Sequence, residues 1–123
     1  MATDNEIEDF IRDSFSSIWD LELLSALLDH PNDAHSPAEL VERMRASELA
    51  VERGAEALAA IGVAALDGQG RLRFQPVNDN VAECARRARE FYHRFPGRTR
   101  RLIVSRQSPG LSAFADAFRL RRD

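Results

Sequence analysis

Few residues of this chain are of a type that could do chemistry, and they are scattered. The histidines are His30, His35 and His93, and no cysteine or carboxylate stands near them at the spacing of a metal-ligand box. His30 and His35 flank the loop Pro31-Asn32-Asp33-Ala34. His30 closes an apolar stretch, where an imidazole suits the negative end of a helix dipole, so a structural role accounts for it. Cys84 is the single cysteine, so no internal disulfide can form and a reducing compartment is expected. It falls on the apolar stripe of a helix, the place of a buried, unreactive thiol. A redox role for it would rest on the neighbouring Arg86 and Arg87. Asp67-Gly68-Gln69-Gly70 contains Gly-x-Gly, but it joins two strands rather than a strand and a helix. It reads as a hairpin turn and not as a phosphate cradle. No nucleophile elbow is present. No catalytic residue, metal site or cofactor is assigned, and an enzyme is not expected.

Charge is the other chemical signal. All 17 basic residues are arginine. Residues 1–80 hold six arginines against 16 acids, and residues 81–123 hold eleven against four, so the halves carry −10 and +7 of the overall −3. Such asymmetry marks either a surface for nucleic acid or an acidic partner, or a basic half folded back on an acidic one.

Helices must position these residues. Residues 4–15 carry Ile7, Phe10, Ile11 and Phe15 at helical spacing, with Asp4 or Asn5 as cap and Ser16-Ser17 as the interruption. Residues 18–29 hold Trp19, Leu21, Leu23, Leu24, Leu27 and Leu28. They make the most apolar helix and the expected centre of the core, with Trp19 as an anchor inside it and Pro31 as its end. Ser36-Pro37-Ala38-Glu39 is a helix start: a capping hydroxyl, a proline at the first position and a capping-box glutamate. Leu40, Val41 and Met44 share one face of a short helix, and Arg45-Ala46 make a turn. Ser47 caps a second helix bearing Leu49, Val51, Ala55, Leu58 and Ile61, which stops at Gly62. Two short strands around the Gly-rich turn then form a β-hairpin.

Asn78 or Asp79 caps a helix over 81–95, with Val81, Cys84, Ala85, Ala88, Phe91, Tyr92 and Phe95 three and four apart. That stripe suits a dimer seam or an intrachain core equally. Pro96-Gly97 breaks the helix. Residues 98–105 fit a strand or a short buried helix, and the helical surroundings favour the helix. Ser108-Pro109 opens a last helix with Leu111, Phe114, Ala115 and Phe118 on one face and Arg119, Arg121 and Arg122 at its end. No apolar run approaches the ~18 residues of a membrane span. The acidic, amphipathic beginning is unlike a signal peptide, so a cytoplasmic protein is expected.

Helix, tight turn, helix and hairpin, on the residues just quoted, resemble the winged helix-turn-helix transcriptional regulators of bacteria over roughly residues 17–76. The resemblance implies a mainly α fold. Residues 1–76 form an N-terminal helix and a winged-helix domain with a two-stranded wing. Residues 77–123 form a helical extension that packs on this core or makes a dimer interface. In that family the second helix of the motif enters the major groove and the wing touches the adjacent backbone. Carried onto this chain, the groove helix is 48–61, and Arg43, Arg45, Arg53, Arg71 and Arg73 are the DNA-binding residues. Alternation puts Arg71 and Arg73 on one face of the strand and Leu72 and Phe74 on the other. The exposed residues of the groove helix are Glu48, Glu52, Arg53 and Glu56, and acids oppose phosphate. Two functions follow from the resemblance. One is a non-enzymatic, homodimeric transcriptional regulator on double-stranded DNA. The alternative is a protein-recognition module whose acidic helix takes a basic or helical partner.

Overall fold

Helices begin in this chain where the sequence offers an oxygen to N–H groups that a first turn leaves unpaired. In the computed structural model, which describes residues 3–107, Thr3 Oγ1 accepts from the Glu6 N–H and opens α1, Asp4–Ser14. Ser17 does the same for α2, Ile18–Asp29, and Ser36 for α3, Pro37–Met44, with Pro37 leading. Ser47 caps α4, Glu48–Ala60, and Asn78 caps α5, Asp79–Arg94. Pro96 begins α6, Pro96–Gln107, so residues 98–105 are helical. The expected helix from Ser108 onward lies outside the described residues.

The chain between α4 and α5 turns back on itself as β2, Ala64–Leu66, and β3, Leu72–Phe74. The Asp67 carboxylate organises the turn: Oδ1 accepts from the Gln69 and Arg71 N–H groups at 2.8 and 2.9 Å. Gly70 supplies the left-handed φ of +76° that closes it. The expected two-stranded hairpin is corrected to a three-stranded antiparallel sheet. A further strand, β1, Ala34–His35, joins in the order β1-β3-β2, pairing Ala34 with Arg73 and His35 with Leu72. Two residues are too few to display an alternating pattern, so this strand owes its existence to the edge that β3 offers.

The fold is mainly helical, and α2 is its centre. Leu21, Leu23, Leu24 and Leu27 are fully buried. α2 packs on α4, α3, α5 and β3, and α1 and α6 pack on each other and on α5. Ile7, Ile11 and Phe15 fill the space from α1, Val51 and Leu58 from α4, and Ile103 from α6. Burying one such side chain contributes about 1.5–3 kcal/mol.

Two details depart from the sequence reading. The α1 cap is Thr3, one residue before Asp4. Trp19 is not a core anchor but is 39% exposed, on the first turn of α2. Leu49 is 52% exposed on the first turn of α4. Both residues border a recess with Arg53, Asp20 and the capping serines. The helical stripe over 81–95 serves the intrachain core: Ala82, Ala85, Ala88, Phe91 and Tyr92 are buried against α1 and α2, and only Phe95, at its end, is exposed.

Candidate functional site

Of the five arginines expected to meet DNA, three line one basin. Arg43, on α3, joins Arg71 and Arg73 around an open basin of about 360 Å³, with His30 and His35 at its floor and Asp33 and Glu39 on its edge. Arg45 is the C-cap of α3, in the left-handed conformation with φ of 52°. Arg53 borders the recess beside Trp19.

Within the basin the cations are not all free. Arg71 Nε lies 2.9 Å from Asp67 Oδ2, the same carboxylate that accepts from the turn. These hydrogen bonds, the Arg71 N–H foremost, hold Asp67 below the ordinary carboxylate range. Arg73 is exposed and in register with Ala34 and Ala65 on either side. Leu72 and Phe74 face the interior, as strand alternation requires. His35 is 2% exposed, and its Nδ1 stands 3.5 Å from Arg43 Nη1. An arginine can only donate, so Nδ1 is the acceptor and the ring proton belongs on Nε2, which is buried with no partner.

The other side of α3 is different in character. α3, α4 and the hairpin enclose an apolar groove of about 800 Å³. Pro37, Leu40 and Val41 line it from α3, Val51 and Ala55 from α4, and Leu66 and Leu72 from the hairpin. Leu66 is 52% exposed there. Glu48, Glu52 and Glu56 form one wall, four residues apart along α4. All three are exposed, and among the described residues none enters an ion pair. Like charges at this spacing cost an isolated helix about 0.2–0.5 kcal/mol per pair. The groove could not be read from the sequence, because it needs the hairpin to lie against α3 and α4. Its acidic wall was legible as the glutamates of the 48–61 helix.

The arginine-rich half answers a question the composition left open. Arg87 reaches Asp4 at 3.8 Å, and Arg89 reaches Asp29 at 2.9 Å and the Ser25 carbonyl at 3.3 Å. Arg98 pairs with Glu8, itself nearly buried, at 2.5 Å. The Arg86 guanidinium lies 5.5 Å from the Phe74 ring centroid. The basic half therefore folds back on the acidic half through α5 and α6. Tyr92 adds an O–H donated to Glu22 Oε1 at 2.5 Å, and burial together with that carboxylate pushes its phenol up.

Cys84 is half-buried on α5. Burial, reinforced by Glu83 and Glu6, raises its thiol, and Arg87 opposes this only in part. Among the described residues no group of three His, Cys, Asp or Glu is placed to hold a metal ion, and no helix is long and apolar enough to cross a membrane. No family model, no curated protein and no solved structure matches this chain.

Proposed function

We propose that this chain is a non-enzymatic winged helix-turn-helix module that recognises a protein segment in the groove between α3, α4 and the hairpin. The order α2-β1-α3-α4-β2-β3, with β1 inserted beside β3, supports the winged-helix assignment. The observation that carries the function is the apolar groove walled by Glu48, Glu52 and Glu56. An apolar trough takes the apolar face of an amphipathic helix, and an acidic wall selects one flanked by Arg or Lys. The same wall opposes duplex DNA, since α4 would present three unpaired acids to phosphate while affinity depends on phosphate neutralisation.

A second reading, a transcriptional regulator on double-stranded DNA, is favoured by the basin that gathers Arg43, Arg71 and Arg73. In it the hairpin contacts backbone phosphate and α4 stays out of the major groove. Fluorescence anisotropy separates the two. A labelled 16-residue peptide of leucine and arginine at helical spacing, and a labelled random duplex, are each titrated with protein at 50 and 200 mM salt. Protein recognition predicts that the peptide binds and that replacing Glu48, Glu52 and Glu56 by glutamine weakens it. DNA binding that survives 200 mM salt and falls on replacing Arg71 and Arg73 by alanine would transfer the function to the basin.

A further inference from the structure

The basin beside β1 gathers cations and carboxylates that the fold leaves apart. Arg73 is exposed on β3 between Ala34 and Ala65, its partners across the sheet, and an alanine on either side offers its guanidinium no partner. Arg43 lies one turn after Glu39 on α3, the order that favours an i,i+4 pair, yet the two form none. Asp33 likewise enters no ion pair among the described residues. Arg71 is directed by the bond from its Nε to Asp67, which leaves its two terminal amino groups as donors. His35 is buried in register with Leu72, and its Nδ1 accepts from Arg43 Nη1 at 3.5 Å, so that arginine is positioned from within the protein.

Three guanidinium groups thus line a recess of about 360 Å³ whose edge carries two carboxylates. The guanidinium fork matches the oxygens of a phosphate two at a time. A carboxylate repels a second phosphate but accepts from a hydroxyl. Duplex DNA, with one negative charge per about 1.7 Å of its axis, would bring further phosphates against Asp33 and Glu39. A single phosphate on a hydroxylated body meets both kinds of group with the right sign. We infer that the basin binds a small phosphate ester of a sugar or polyol, its phosphate on Arg43, Arg71 and Arg73 and its hydroxyls towards Asp33 and Glu39. This site is separate from the groove and stands without the protein-recognition reading.

The test titrates the full chain, labelled with nitrogen-15, with glycerol 3-phosphate and with ribose 5-phosphate at constant ionic strength. Glycerol, ribose and inorganic phosphate serve as comparisons. Amide shifts are expected to cluster at residues 30–35, 39–43 and 71–73, with the esters binding more tightly than inorganic phosphate and the unphosphorylated compounds not at all. Arg43→Gln and Arg73→Gln should each weaken the esters about tenfold, as loss of a hydrogen bond to a charged group does. Both positions are exposed, so the remaining spectrum reports that the fold is kept. Arg45→Gln, outside the basin lining, should change the affinity little. No shift with either ester overturns the inference, and so does an equal loss in Arg45→Gln. Inorganic phosphate that binds as tightly as the esters means an adventitious ion only and overturns it too. A random duplex that shifts these amides where the esters do not overturns it in favour of backbone phosphate.

Discussion

Gly54 is where α4 comes closest to α2, and replacing it sets two effects of similar size against each other. A Cβ built there lies 2.9 Å from Leu23 Cδ2 and 3.5 Å from Asp20 Oδ1. Alanine in place of glycine inside a helix is worth about 1 kcal/mol in its favour. Overpacking a filled core costs about 1–3 kcal/mol. Leu23 is fully buried, so its methyl cannot swing into solvent, and relief must come from moving the helices apart. Gly54→Ala is therefore expected to destabilise the fold by about 1 kcal/mol net. Gly54→Val adds two further methyls and β-branching and should cost about 3 kcal/mol or more. Urea unfolding followed by helical circular dichroism measures both. With a slope of about 1–3 kcal/mol per molar, the valine midpoint should fall by roughly 1–3 M at unchanged slope. A Gly54→Ala protein about 1 kcal/mol more stable than wild type would mean that propensity alone operates, and would refute the close approach.

The remaining expectations concern other elements. Phe91→Asp places a carboxylate in the intrachain core and should unfold the protein, read as loss of the cooperative thermal transition; a folded monomer would make the α5 stripe an interface instead. Ser47→Ala removes the oxygen that accepts from the Ala50 N–H and should cost about 1 kcal/mol, with Ser47→Asp restoring most of it in the same urea assay. The raised Cys84 thiol stays protonated at neutral pH, so its reaction with a disulfide reagent at pH 8 should be slower in the native protein than in urea; an equal rate would place it on the surface. Asp67 is held below its ordinary range, so its contribution is present above the unfolded pKa and lost as pH falls through the folded one. Acid stability of Asp67→Ala should accordingly converge with that of wild type at low pH, while the two differ near neutrality.

What the sequence displayed was local, and what it hid was pairwise. Ser17, Ser36, Ser47 and Asn78 announce their helices because a cap acts within three residues of itself. The leucines of α2 repeat often enough to mark the core. Asp67-Gly68-Gln69-Gly70 marks the turn, since the geometry needs a short acceptor and a left-handed glycine. β1 could not be read, because two residues carry no period and their partners, Arg73 and Leu72, lie far along the chain. Trp19 was placed inside on hydrophobicity alone, and Leu49 is an apolar residue in the same place on α4, its first turn. Whether the first turn of a helix is covered depends on which neighbour reaches it, and no neighbour covers these two. Among the site residues, Arg71 and Arg73 were grouped by strand alternation, but their company with Arg43, His30 and His35 follows from β1 pairing with β3.

The same pairing logic assigns the charge asymmetry a different meaning from the one composition suggests. A half carrying +7 beside a half carrying −10 invites a nucleic-acid surface. Yet Arg87, Arg89 and Arg98 are directed at Asp4, Asp29 and Glu8, acids of α1 and α2 that the fold sets beside α5 and α6. The exposed Arg87–Asp4 and Arg89–Asp29 pairs add only about 0–1 kcal/mol each, so their consequence lies less in stability than in the field outside. With Arg98–Glu8 they offset three acids of the first two helices, whereas among the described residues no ion pair offsets the glutamates of α4. Three exposed carboxylates are thus left in a line along Glu48, Glu52 and Glu56, beside the apolar groove. On the proposed reading a cationic segment approaching the molecule would be steered there, over the length of a Debye screen of about 8 Å at physiological salt. The acidic wall and the apolar floor would then act on the same approach: charge would select the partner and set its register, and burial of its apolar face would hold it.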